Sequence, residues 1–196
     1  MSFAKKMARK RDLALRGDEH KARKTVNRAK RDVKMAYRYQ MATDMFVRKT
    51  ALRNLSAVFL YAMHKYEGFG RSRLERLRDK MQNVFECIIG NYVTLPEIAD
   101  YLSNDIGLDC GLAVDNPKAA HHRKIEFRAV QQMSAAFLMS MLDEFGYKKK
   151  RLSKAYGYCA ALSDDIGDKK ITYDEITAQM EKVMGKKLPT KKVATA

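Results

Sequence analysis

The chain has 196 residues, with 39 Lys and Arg against 23 Asp and Glu, a formal net charge of +16. Hydrophobic residues make up 46% of it and charged residues 32%, enough apolar material for a core under a heavily ionised surface, which excludes wholesale disorder. Ten Gly and three Pro beside twelve Met leave too few turn residues for a sandwich or barrel, so an all-β architecture is excluded as well.

The first forty residues form a basic arm, carrying fourteen Lys and Arg against Asp12, Asp18, Glu19 and Asp32. Neither Gly nor Pro occurs from Asp18 to Glu67, and the acidic pair after Gly17 suits a helix N-terminus, so one long helix, or two end to end, is expected there. Ala22, Val26, Ala29, Val33 and Ala36 step by four and three. They make a narrow small-residue seam that suits a partner helix, including a second copy of the chain, while Lys21, Arg23, Lys24, Arg28, Lys30, Arg31, Lys34 and Arg38 carry the charge. After Tyr37 the apolar stripe widens through Met41, Met45, Leu52, Leu55 and Phe59, which sets the start of the folded body near Met41.

An internal repeat organises the rest. At an offset of 78 positions and without a gap, residues 56–107 match residues 134–185 at thirteen of 52 places. The matches include Phe59 with Phe137, Gly68 with Gly146, Arg73-Leu74 with Arg151-Leu152, and Gly107 with Gly185. Each copy reads as three helices. The first ends at Gly68 or Gly146, and the second carries Leu74, Leu77, Met81, Val84, Phe85 and Ile88 on one face in one copy and Leu152, Ala155, Cys159, Leu162 and Ile166 in the other. Loops at Gly90-Asn91 and Gly167-Asp168 follow. The third helix opens on a capping box, Thr94 with Glu97 or Thr172 with Glu175, and closes at Gly107 or Gly185. The expected organisation is an all-α protein: basic helical arm 1–40, tri-helical lobe 41–107, linker 108–124, repeated tri-helical lobe 125–185, and polar tail 186–196.

Catalytic and metal chemistry find little support in the sequence. Asp164, Asp168 and Glu175 fall at three calcium-loop positions, but Ile166 and Lys169 replace the ligand and the glycine such a loop needs, so no metal is expected. His121 and His122 are adjacent and point in different directions on any regular element. Asp143-Glu144 and Asp164-Asp165 are what solvated helix ends carry. No phosphate loop, nucleophile elbow or Cys/His family signature is present, so a non-catalytic protein without cofactor is expected. Cys87, Cys110 and Cys159 form no CxxC pair and fit a reducing compartment. The longest apolar run, Ala57 to Met63, has seven residues, far short of a membrane span, and the basic N-terminus lacks the apolar core of a secretory signal.

A cationic run recurs after the first glycine of each copy. Arg71, Arg73, Arg76 and Arg78 follow Gly68, and Lys148, Lys149, Lys150, Arg151 and Lys154 follow Gly146. Cations at a helix start oppose the helix dipole, so local stability does not select them. A polyanion does. Arg71, Arg73, Arg76, Lys149, Lys150, Arg151 and Lys154 therefore join the arm cations as expected nucleic-acid contacts, with Phe69 and Tyr147 as either stacking surfaces or core staples.

The aromatic-Gly-aromatic pattern, followed by Lys/Arg and Arg-Leu and then by a Val/Ile-Thr segment opening an acidic helix, resembles small uncharacterised proteins encoded by phages and prophages of Gram-positive bacteria. The resemblance covers residues 56–107 and again 134–185. It implies a phage-related protein in the bacterial cytoplasm and brings no assigned activity. The expected function is non-catalytic binding to DNA, RNA or a nucleoprotein complex; the alternative is a protein-interaction inhibitor of a host nucleic-acid machine, such as an anti-CRISPR or other anti-defence factor.

Overall fold

The computed structural model describes residues 3–112 and 118–185, and side chains from Lys21 onward apart from Ala22. Part of the expected linker, the tail 186–196 and the side chain of the seam residue Ala22 thus lie outside the described residues. The protein is all-α. Among the described residues the elements are α1 (Phe3–Glu67), α2 (Arg71–Ile89), α3 (Leu95–Asn104), α4 (His121–Phe145), α5 (Lys149–Gly167) and α6 (Tyr173–Met184). No helix among them is long and apolar enough to cross a membrane. The chain divides into two compact units, Met1–Phe46 and Val47–Ala196.

In the first unit α1 begins at Phe3 and runs through Gly17, where the sequence suggests a start. A single Gly in a helix costs only about 1 kcal/mol relative to Ala, and the good helix formers before it, Ala14, Leu15 and Arg16, carry the turn past it. From Arg23 to Ala42 every side chain is exposed.

In the second unit the two copies have the same helix order, α1–α2–α3 and α4–α5–α6. The first helices end alike. Gly68 and Gly146 adopt φ of +66° and +63°, and the next residues bond back across the final turn: Phe69 N–H donates to the Met63 carbonyl at 3.1 Å and Tyr147 N–H to the Met141 carbonyl at 3.0 Å. A residue with a Cβ is strained at that φ, which explains the glycine at both places. The second helices bury the expected faces, Leu74, Leu77, Met81 and Ile88 in α2 and Leu152, Ala155, Cys159 and Leu162 in α5. Their exits differ from the expectation in detail. The left-handed residues are Asn91 and Lys169, equivalent positions of the repeat, while Gly90 stays right-handed and Gly167 lies inside α5.

Both capping boxes form. The Glu97 carboxylate accepts from Thr94 N–H at 2.7 Å and the Glu175 carboxylate from Thr172 N–H at 2.7 Å, while each threonine hydroxyl accepts from the glutamate's own N–H. These bonds, from the Thr backbone first and its hydroxyl second, hold both carboxyls below the ordinary range. α6 closes on Gly185 as expected, and the regular turns of α3 end at Asn104, three residues before Gly107. Asp105 and Ile106 N–H both bond to the Tyr101 carbonyl, at 3.0 and 3.3 Å, which widens the last turn, and Gly107 then closes it as Gly68 and Gly146 close theirs, with φ of +73° and the Leu108 N–H on the Leu102 carbonyl at 2.7 Å. α4 in turn starts at His121, inside the expected linker, with Lys124 N–H bonded to the Ala120 carbonyl at 3.0 Å.

The copies interlock. α2 and α3 of the first copy pack on α4 of the second, and α2 also meets α6. Phe59 and Phe137, equivalent positions of the repeat, stack on each other with centroids 4.6 Å apart and planes 5° from parallel. Other contacts occur in exchanged pairs. Tyr147 against Glu67 has its counterpart in Phe69 against Phe145, whose rings lie 4.9 Å apart, and Lys149 beside Gly107 has its counterpart in Arg71 beside Gly185. A local two-fold axis relating the copies, and passing between Phe59 and Phe137, accounts for all of these.

Phe137→Ala empties the centre of that axis and is expected to lower stability by about 3–5 kcal/mol, read from denaturant melts. Thr94→Ala and Thr172→Ala each remove a cap worth about 1 kcal/mol. Because the two carboxyls titrate lower when folded, their contribution is present above the ordinary carboxylate range and disappears as pH falls through and below about 4; each Thr→Ala variant should accordingly lose less stability on acidification than the unaltered chain.

Candidate nucleic-acid interface

The cations expected to contact nucleic acid fall on two structural backgrounds. Those of the arm stand on the exposed part of α1. At 100° per residue, Lys21, Arg23, Lys24, Arg28, Lys30, Arg31, Lys34 and Arg38 all fall within about one half of the helix circumference, over a length of about 26 Å. The other half carries Val26, Ala29, Val33, Ala36 and Tyr37. All eight cations are exposed, and none forms an ion pair with another described residue. Asp32 is the one acid between Lys21 and Thr43, and it lies at the edge of the cationic half. Exposed Val33, Tyr37, Tyr39 and Met41 add apolar surface to the same stretch.

The cations after Gly68 and Gly146 sit in a different setting, because most of them touch the other copy. Arg71 pairs with Glu75 at 3.4 Å and places its guanidinium 3.1 Å from where a Cβ on Gly185 would stand. Lys149 places its ammonium at the same 3.1 Å from the corresponding point on Gly107. Each is a cation at the C-terminal end of the other copy's third helix, the negative pole of that dipole. The cationic starts of α2 and α5, unfavourable for their own helices, are thereby compensated across the axis. Arg76 forms an ion pair with Glu144 and lies 5.5 Å from the centre of the Phe145 ring. Arg73 lies 5.7 Å from the Phe69 ring.

Around α5 the contacts are more polar. Arg151 stacks on Tyr147 at 3.7 Å and pairs with Glu67 at 3.6 Å, and the Tyr147 hydroxyl donates to Glu67 at 2.8 Å. Burial, and then the bond to the Glu67 carboxylate, push the Tyr147 phenol up to about 12. Lys154 lies 5.7 Å from the Tyr158 ring, and Lys150 is exposed. Phe69 and Tyr147 are both buried, which makes them core staples and removes them as stacking surfaces. The aromatic that does reach solvent here is Tyr66, 37% exposed and stacked on Tyr158 with centroids 4.5 Å apart. Local sequence gives no sign of this pair, because the two tyrosines are ninety-two residues apart and become neighbours only through the interlocking of the copies.

A cleft of about 930 Å³ opens between the start of α3 and α4, with Arg123, Lys124, Arg128 and Gln132 among its polar groups. The Thr94 hydroxyl at its edge is committed to the capping box, and no described side chain lining it pairs a nucleophile with a base. Among the described residues no three His, Cys, Asp or Glu side chains converge on a metal position. The cysteines are free: Cys87 is exposed, Cys110 half-buried with its thiol pushed up to about 11 by burial, and Cys159 buried. Comparison with family models, with curated proteins and with solved structures finds no match.

Tyr147→Phe removes the donor to a largely buried carboxylate and should cost about 0.5–1.5 kcal/mol at neutral pH, read from denaturant melts. Its pH dependence follows from the sign of the shift. The folded phenol titrates above the unfolded one, so its contribution is complete below about pH 10 and is lost as pH rises through about 12; the Phe variant should lack that alkaline component.

Proposed function

We propose that this chain is a non-catalytic nucleic-acid-binding protein that uses the exposed cationic half of α1 for general affinity. The observation that carries this reading is the segregation of eight exposed cations onto one half of a continuous helix, unpaired by described carboxylates. A helix cylinder is about 10–12 Å across with its side chains, matching a duplex major groove about 12 Å wide, and charges spread along one side of it can follow a phosphate backbone. The net charge of +16 adds long-range attraction to any polyanion. The resemblance to phage-encoded proteins supplies the proposed setting, an accessory or regulatory protein acting on nucleic acid, or on a nucleoprotein complex, in a bacterial cell.

Equilibrium binding to plain duplex, single strand and structured RNA across a salt series tests the reading. On duplex, log K should fall with log salt at a slope near −0.9 per phosphate neutralised, and replacing Lys30, Arg31, Lys34 and Arg38 together with Gln should flatten the slope by about 0.9 for each phosphate that then keeps its counterion. Since these side chains bury nothing, the variant should melt as the unaltered protein does. Binding unchanged by the four substitutions would place the interaction elsewhere. Binding only to a preformed nucleoprotein complex would favour the inhibitor of a host machine.

A further inference from the structure

The local two-fold axis gives the protein two elbows built to one plan, and they have diverged in charge. At the first, the start of α2 meets the end of α4. Residues 69–80 and 143–145 there bring five cations together with four carboxylates, and the pairs are made: Arg76 with Glu144, Lys80 with Asp143 at 3.4 Å, Arg78 with Asp79 at 2.8 Å, Arg71 with Glu75. At the second, the start of α5 meets the end of α1. Residues 147–158 and 65–67 there bring six cations together with Glu67 alone. The divergence is concentrated at three equivalent pairs. Asp143 corresponds to Lys65, Glu144 to Tyr66, and Lys80 to Tyr158, so an ion-paired rim at one elbow becomes a tyrosine stack flanked by lysines at the other.

The stack reaches solvent at Tyr66. Tyr158 covers one face of the Tyr66 ring in near-parallel contact, 13° between planes, and the Lys65 ammonium lies 5.1 Å from the centre of the same ring. Lys65 is exposed and its ammonium also lies 5.7 Å from the Tyr61 ring; a flexible side chain held by such cation–π contacts, each worth about 0.5–1 kcal/mol at an exposed site, can give way to a planar group. Lys154 lies beside the Tyr158 ring, and Arg151, 61% exposed at its side chain, pairs with Glu67, the residue after Tyr66. A ring face beside several cations and a single carboxylate suits a ligand that presents an unstacked base and a phosphate together.

We propose that the second elbow is a single-stranded nucleic-acid site in which a base stacks on Tyr66 while Lys65, Arg151 and Lys154 meet the adjoining phosphates. This rests on the nucleic-acid-binding function proposed above and assigns it a second surface. A duplex, whose bases are stacked internally, offers the elbow only its phosphates; a single strand offers both. An acidic protein segment would satisfy the cations but leave the stack unused.

The test compares binding of an oligothymidylate of about twenty nucleotides, long enough to cover one such site, with binding of a duplex of the same length. Tyr66→Ala should weaken the single strand about ten-fold and change duplex affinity by less than about two-fold. Tyr66→Phe, which keeps the ring, should restore single-strand binding, and Tyr92→Ala, which removes an exposed aromatic 87% accessible on the α2–α3 loop, should leave both unchanged. Melting curves run in parallel, and Lys65→Gln with Lys154→Gln, which keeps both tyrosine rings, should also weaken the single strand selectively. Equal losses on both substrates, or none on either, would overturn the site while leaving the arm's role standing. Duplex binding by the unaltered protein without single-strand binding does the same. No binding to either nucleic acid overturns both readings. Tyr66-dependent binding of polyglutamate but not of oligothymidylate overturns the single-strand site in favour of an acidic protein partner.

Discussion

The stack of Phe59 on Phe137 is the contact on which the second unit is organised. A residue that packs against its own repeat equivalent must lie on the axis relating the copies, and the surface around it must be complementary to itself, the constraint that governs the isologous interface of a homodimer. The neighbouring residues satisfy it. Ala57, Leu60 and Met63 are buried in one helix and Ala135, Leu138 and Met141 in the other. Both helices are buried on every side here: Ala57 through Met63 and Gln132 through Leu138 are unbroken by an exposed position, so neither helix has a solvent face within its stretch. Once two such helices meet on an axis, the second and third helices of one copy are brought against the other copy, and the elbows become interfaces.

That consequence resolves an apparent conflict in the sequence. Taken one helix at a time, a basic run at the start of α2 and of α5 works against the helix dipole, and an external polyanion looks like its reason. In the fold, Arg71 faces the end of α6 and Lys149 the end of α3, where cations are favourable. Arg76 and Arg151 likewise find carboxylates on the opposite copy. The tertiary partner, invisible to a rule about one helix, reverses the sign of the local argument. Arg71, Arg76, Lys149 and Arg151 thus have an internal role whatever they bind, whereas the arm cations have no such partners among the described residues.

The features legible in the sequence are those fixed within a few residues. Thr94-Glu97 and Thr172-Glu175 satisfy each other across one turn, and Gly68 and Gly146 adopt the backbone angle that only glycine takes easily, so both pairs of boundaries can be read directly. Gly17 misleads for the complementary reason. A glycine permits a break without requiring one, and whether the helix stops is decided by neighbours: α1 continues through Gly17, while Gly107 takes the left-handed angle and closes the widened last turn of α3. The repeat shows that two similar bodies exist but not that their helices interlock, since an offset of 78 positions carries no information about which copy a helix packs on. Tyr66, Tyr158 and Glu67 are silent for that reason.

Fusing two self-complementary units in one chain has a further physical consequence. In a homodimer of identical subunits the axis makes both elbows the same, and any substitution that strips carboxylates from one strips them from the other, doubling the like-charge repulsion. Within one chain the copies change independently. Asp143 and Glu144 neutralise the first elbow, where Arg76 and Lys80 reach them, while Lys65 and Tyr66 at the equivalent positions leave the second strongly positive. The first elbow can then hold the copies together with its charges paired, and the repulsion that accumulates at the second is confined to one place, where Glu67 alone ties Tyr147 and Arg151 down. A surface with that imbalance is stabilised by whatever anion approaches it, and the interlocked core anchored at Phe59 and Phe137 supplies the rigidity that lets the imbalance persist without one.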